Sequence, residues 1–398
     1  MRTFFLKSVK EKNKELKIEN YNDITFRSFG VDYRSEKLVK STAFIAPVEN
    51  IGISGISFGY SDDNGDVFFK DGYLINDKDE KILLNRFDNP PFIVRAKISG
   101  ENIKIAISKG VGYLFGKSHG NILVPKGEKY IFYDGKIFTF CKNKLSFCTL
   151  NKSTENGYVM LPLFAGEITD ALNYDEGLYV ICEKTIIKVA SDKKSGFFVD
   201  IKEKGNFFFD KNSAMATADG IVLTANGKLF VYKNERVEEI KSLLDNGKYS
   251  FAGDSAVKDG KYIISVSDGN EEYFFVKDFV SKAESFIKKG NKSSVGNGNF
   301  FDFVNGIKYV LSKDGGNGYM WESKPFEFTE KKTVFGIRLY SETDAVMKVK
   351  GDFGTFVFAV KAGNNSFRTK LKSKKFSFVF EFGNGNFALG EQVISYRD

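Results

Sequence analysis

A glycine turn returns about every 42 residues along the middle of this chain, and few folds accommodate that spacing. YDGKIFTF sets Gly135 behind a short polar residue and ahead of a strand-like run. The arrangement recurs at Gly177 in YDEGLYVI, Gly220 in ADGIVLTA, Gly260 in KDGKYIIS and Gly306 in VNGIKYVLS, at separations of 42, 43, 40 and 46 residues. Each unit holds β-branched and aromatic runs broken by further turns. In ADGIVLTANGKLFVYKNERV, Asn226-Gly227 between two such runs is a strong hairpin signal. Several short strands per unit of this length predict a β-propeller. Helical repeats would need apolar positions at 3.6-residue spacing, and only residues 236–247 (RVEEIKSLLDNG) and 278–290 (DFVSKAESFIKKG) read as helices.

Upstream the period loosens, but Gly65, Gly72 and Gly100 mark further hairpins, giving about five to seven blades over residues 46–327. Residues 1–45 read as an arm, or as strands that close the propeller. Beyond residue 327 simple alternation takes over. Phe335, Ile337 and Leu339 share one face, as do Phe376, Phe378, Phe380 and Phe382. Roughly seven short strands are expected here, making residues 328–398 an antiparallel β-sandwich. The expected fold is therefore all-β throughout.

The lone tryptophan stands near this transition, in GYMWESKPFEF. Trp321 is expected on the last strand of the last blade, with Pro325 ending that strand and Phe326 opening the next unit. Together they form an expected domain seam, in which the indole N–H needs a nearby acceptor.

Chemistry-bearing motifs are scarce. With one histidine, His119, in 398 residues, His-based hydrolysis and the common zinc sites lack their groups. Ser118 and His119 are adjacent, and neighbours on a strand point to opposite faces. SDDNGD (61–66) lacks the Gly and Glu positions of an EF-hand loop and reads as a hairpin turn. Gly-rich 290–300 and 313–320 lack the P-loop pattern. Paired carboxylates for glycoside hydrolysis stay open, since none of the 51 acidic residues stands out as a pair. Cys141, Cys148 and Cys182 suit a reducing compartment. No cofactor, metal, membrane span or catalysis is expected. The formal charge of +8 implies a mixed solvated surface. Its densest basic run is FRTKLKSKKFSF, where Arg368, Lys370 and Lys372 alternate with Phe367, Thr369 and Leu371. With Lys374 and Lys375 they form either a charged edge strand or a sequence-independent contact with phosphate backbones.

VNGIKYVLSKDGGNGYMWESKPFEF, followed by KTVFGIRLY, AVMKVKG and SFRTKLKSKKFSFVFEFG, resembles bacteriophage tail proteins of the nozzle or tail-hub type, close to the packaged-DNA stabilisation proteins of podoviruses. The blade-like FAGEITDALNYDEGLYVICEKTIIKVAS is similar in style, and the likeness covers about residues 160–398. It implies a structural virion protein, assembled in the host cytoplasm as a sixfold homo-oligomeric ring. Such a ring would contact other tail or head-tail connector proteins and packaged DNA at the DNA exit channel. The alternatives are a carbohydrate-binding or glycan-hydrolysing tail or fibre propeller, and a non-viral propeller scaffold.

Overall fold

The computed structural model describes all residues except 1–3, 7–13, 19–20, 22–24, 30, 34–36, 41–43, 63–64, 99, 117–119, 151, 193–195, 205–206, 295–296, 313–318, 384–385 and 398. The chain is all-β, a seven-bladed propeller with a curled sheet. Blade 1 has three strands, Ile56–Asp62, Gly65–Lys70 and Tyr73–Ile75. Blades 2 to 6 are four-stranded antiparallel sheets in chain order, opening at Phe92, Tyr130, Ile168, Met215 and Ser250. Blade 7 combines Lys292–Ser294, Phe300–Asp302 and Ile307–Ser312 with Phe44–Asn50 as its outermost strand. Phe44–Asn50 thus closes the last blade, with all but its first two residues beyond the 1–45 segment, whereas the described strands between residues 4 and 40 pair within the curled sheet.

The repeated glycines have a common place. At Gly135, Gly177, Gly220 and Gly260 the chain turns from the first strand of a blade into the second. Gly306 turns from the second into the third, which stretches the last separation. Gly220 is the strictest position: φ is +140° and an added Cβ would lie 2.3 Å from the Tyr232 carbonyl oxygen. The turn before Gly177 is unusual, since Asp175 and Glu176 themselves take positive φ.

Second strands such as Gly177–Cys182 (GLYVIC) and Gly220–Ala225 (GIVLTA) are buried at every residue. A strand covered on both faces reads as a continuous apolar run. Its two faces feed separate cores: Leu178, Val180 and Cys182 join Phe138 and Leu145 of blade 3, whereas Tyr179 and Ile181 join Ile221, Leu223 and Phe230 of blade 5. Polar clamps tie neighbouring blades from 3 to 6. Asp170 accepts from the ammonium of Lys129 and, at 3.1 Å, from the Ala214 amide. Tyr262 donates to the Ser213 carbonyl at 2.7 Å.

Both expected helices are absent. Arg236–Ile240 is the outer strand of blade 5, followed by a short 3₁₀ turn, Leu243–Asn246. Ser242 and Asp245 cap that turn reciprocally, and Gly247 ends it in the left-handed region. In 278–290, Asp278 accepts from the amides of Val280 and Ser281 at 2.9 and 3.2 Å, and the chain re-emerges as strand Glu284–Lys288. Local turn chemistry outweighed a single turn of helical periodicity.

By contacts the chain divides into two units: Met1–Pro47, Tyr273–Lys288 and Val310–Asp398 in one, Val48–Glu272 and Lys289–Tyr309 in the other. The first holds the curled sheet, whose described strands are numbered here in chain order: β1 Phe4–Leu6, β2 Lys14–Ile18, β3 Thr25–Phe29, β4 Val31–Asp32, β5 Leu38–Lys40, β6 Tyr319–Ser323, β7 Phe326–Ser341, β8 Ala345–Gly351, β9 Gly354–Val360, β10 Gly363–Phe382 and β11 Ala388–Arg397. The boundary expected at residue 327 falls inside this sheet. Five strands, not seven, lie between Phe326 and Arg397, because FRTKLKS and KKFSFVFEF form one 20-residue strand with no turn between them. The first half of β10 pairs with β7, and the second half pairs with β6 and β8. Bulges at Glu327/Lys332 and Val334/Gly336 bend β7, which curls the sheet around its own aromatic core. The second bulge also resets the alternation: Val334, Ile337 and Leu339 are buried, while Phe335 is displaced toward Arg397. Phe376, Phe378, Phe380 and Phe382 all point inward as expected.

Candidate polyanion-contact face

The middle of β10 shows how the basic run is displayed. Thr369, Leu371 and Ser373 are buried and Phe367 is half-buried, while Arg368, Lys370, Lys372 and Lys374 are exposed. A strand alternates its side chains, so these cations recur about every 6.8 Å along one face. No described ion pair engages any of the four, whereas Lys375 bonds Glu327 Oε1 at 2.8 Å. That bond pushes the Lys375 ammonium above its usual range. Lys375 therefore stands apart from the other four members of the run.

Cross-strand register enlarges the face. Thr333 pairs with Lys372 on one side and with exposed Arg397 on the other. Gly336 lies opposite Arg368 and adds no side chain beside it. Farther along, Arg338 donates to Glu15 Oε1 at 2.6 Å, and Lys17 bonds Glu391 at 2.8 Å. At the other end Asp352 accepts from the Lys374 amide at 2.8 Å, and that bond holds its carboxyl below the usual carboxylate range. The acids thus flank the row, and its centre carries only positive charge among the described side chains. Arg397, Arg338 and Gly336 could not be placed here from the sequence, because only the pairing of β7 with β10 and β11 brings them together.

Trp321 sits in the interior of the curled sheet, on β6 between β3 and β10, and is fully buried. Its indole N–H donates to Thr25 Oγ1 at 2.8 Å, so the required acceptor is present. Thr25 in turn donates to the Tyr21 carbonyl at 2.6 Å, and the Tyr21 ring meets the indole edge-on at 5.2 Å. Phe380 covers another side at 6.0 Å. These partners all belong to the unit that holds Trp321, whose strand is not part of a blade. Pro325 separates β6 from β7 and Phe326 opens β7, yet both strands pair with β10.

The other candidate motifs resolve differently. Asp62 faces Lys104 at 3.1 Å and Asp66 is paired with Lys308, so these carboxylates are occupied by ammonium groups. Among the described residues no group of three or more His, Cys, Asp or Glu is placed to hold a metal. Ser118 and His119 lie outside the described residues. Burial pushes the Cys148 and Cys182 thiols up to about 11 and about 12.

No protein-family model matches the chain, and no curated protein does. Among solved structures it is similar to a streptogramin B lyase, at 11% identity and a TM-score of 0.43, covering 68% of this chain and 98% of that one. It is also similar to the N-terminal domain of Nup159, at 9% identity and a TM-score of 0.35, covering 76% and 89%. A third is the WD40 domain of Toxoplasma gondii coronin, at 13% and 0.32, covering 77% and 80%.

Proposed function

We propose that the protein is a non-catalytic structural subunit that contacts nucleic acid through its phosphate backbone. In keeping with its sequence resemblance, we assign it to a bacteriophage tail, as a nozzle- or hub-type ring subunit at the DNA exit channel. The observation that carries this is the outward row Arg368, Lys370, Lys372 and Lys374, without a described ion pair and without acids at its centre. Such a row supplies charge without base readout, which suits a surface that must hold any sequence. The stretch of β10 over residues 363–375 has β7 on one side and no described neighbour on the other, so the same charges also suit a protected sheet edge, and loss of DNA binding in the variant below separates the two roles.

The test compares wild type with K370E/K372E/K374E for binding to two DNA duplexes of unrelated sequence, alongside mass photometry of both proteins. Equal affinity of wild type for the two duplexes, lost in the variant while the ring mass persists, is the expected outcome. Unchanged affinity in the variant overturns the contact. A wild type that is monomeric at all concentrations overturns the ring.

A further inference from the structure

Of the strands of the curled sheet with one described neighbour, β9 is the longest without a charge. β9 pairs with β8 from Ala345↔Val360 to Gly351↔Gly354, and no described hydrogen bond reaches its other edge. Its sequence, GTFVFAV, has neither charge nor proline. Phe353 just before it is 79% exposed, Val357 62% and Phe356 40%. Only Phe358 and Val360 turn inward, Phe358 with its ring 5.0 Å from Phe367. Longer outer blade strands such as RVEEI, ESFIK and GFFVDIKEK carry charges, and the uncharged ones, Tyr73–Ile75 and Gly120–Leu123, are only three and four residues long. An apolar edge of this kind templates strand addition unless something covers it.

We infer that β9 is covered by β9 of a second copy of this chain, paired antiparallel about a two-fold axis at Val357. An uncharged edge needs an uncharged edge of matching length opposite, and among the described edge strands β9, at seven residues, is the longest with that property. The flanks set the direction. Asp352 precedes the strand and Lys361 follows it, so antiparallel pairing brings unlike ends together and parallel pairing brings like ends together. In this register Val357 meets its own copy, Phe356 meets Phe358 and Thr355 meets Ala359. Phe353 falls opposite Lys361, matching the cation it already holds, since Lys331 Nζ lies 4.6 Å from its ring centre. The contact is isologous, hence distinct from any head-to-tail contact that closes a ring. Two seven-residue strands make a small interface, so self-association in the micromolar range is expected.

Cysteine pairing tests the register. In a Cys141→Ser background, which removes the exposed thiol, Val357→Cys should form a disulfide-linked dimer on mild oxidation. Ala359→Cys alone should not, whereas an equimolar mixture of Thr355→Cys and Ala359→Cys proteins should. In sedimentation, Val357→Lys should weaken self-association at least about tenfold. Val357 is exposed, so that substitution leaves the fold intact, and DNA binding by the basic row should be unaffected. Conversely, K370E/K372E/K374E should keep the Val357→Cys cross-link, which separates failure of this inference from failure of the DNA contact. A wild type that stays monomeric at every soluble concentration with no Val357→Cys cross-link overturns it. Equal cross-linking of Val357→Cys and Ala359→Cys also overturns it, since that reports aggregation without register.

Discussion

The propeller and the curled sheet are both antiparallel β, yet they are specified in opposite ways. Blades 1 to 6 are each built from strands close in sequence, so their register is written into short turns such as Asn226-Gly227 and Asp259-Gly260, and only blade 7 takes a strand from far upstream. The curled sheet joins the two ends of the sequence: Thr25 pairs with Ser323, Lys17 with Val393 and Leu38 with Leu389. Local turns hold a blade, whereas a long-range core holds the curled sheet. The two regions should therefore fail separately and for different reasons.

The largest effect that sharpens this contrast is expected at Trp321. Trp321→Ala removes the biggest fully buried side chain of the sheet and the hydrogen bond that Thr25 Oγ1 accepts, at a cost of about 3–5 kcal/mol. Hydrogen exchange should show β3, β6 and the end of β10 losing protection while second strands such as Gly220–Ala225 keep theirs. Uniform loss across both regions would break the contrast.

In the propeller the corresponding weak point is polar. Asp170→Ala leaves Lys129 without its carboxylate and the Ala214 amide without its acceptor. Lys129 is 31% exposed and can regain water, so the cost should be lower, about 2–3 kcal/mol. Exchange should quicken at the junction of blades 4 and 5 and not in β6 or β10.

The smallest effect concerns acid. The Asp352 carboxyl is held below its ordinary value by the Lys374 amide, so its contribution is present above about pH 4 and fades as pH falls through the lowered value. Asp352→Asn should flatten this part of the acid limb of the stability curve and leave the neutral-pH exchange pattern of the blades unchanged. A steeper acid limb would contradict that sign.

The same contrast explains what could be read from the chain. The propeller and its turn positions were legible because Gly135, Gly177, Gly220 and Gly260 repeat a local need, but the count was bounded only to about five to seven, because the period loosens in blades 1 and 2 and blade 7 borrows its outer strand from far upstream. The outward face of Arg368, Lys370 and Lys372 was legible for a similar reason, since alternation is a two-residue rule. The place of Trp321 was not. Pro325 looks like a boundary along the chain, but β6 and β7 pair with consecutive stretches of one long strand, and nothing near Trp321 announces Tyr21 or Thr25 as partners. The bulge at Val334/Gly336 was equally hidden, because Phe335 has the composition of a core position and the bulge alone turns it aside. Arg397 joins the basic face only through Thr333, for the same long-range reason.

The claim that β10 grips phosphate backbones is tested most directly by the salt dependence of DNA binding. Each cation that neutralises a phosphate adds close to one unit to the slope of log K against log salt. K370Q/K372Q/K374Q should therefore bind with a slope shallower than wild type by about three. An unchanged slope in that variant would contradict the account.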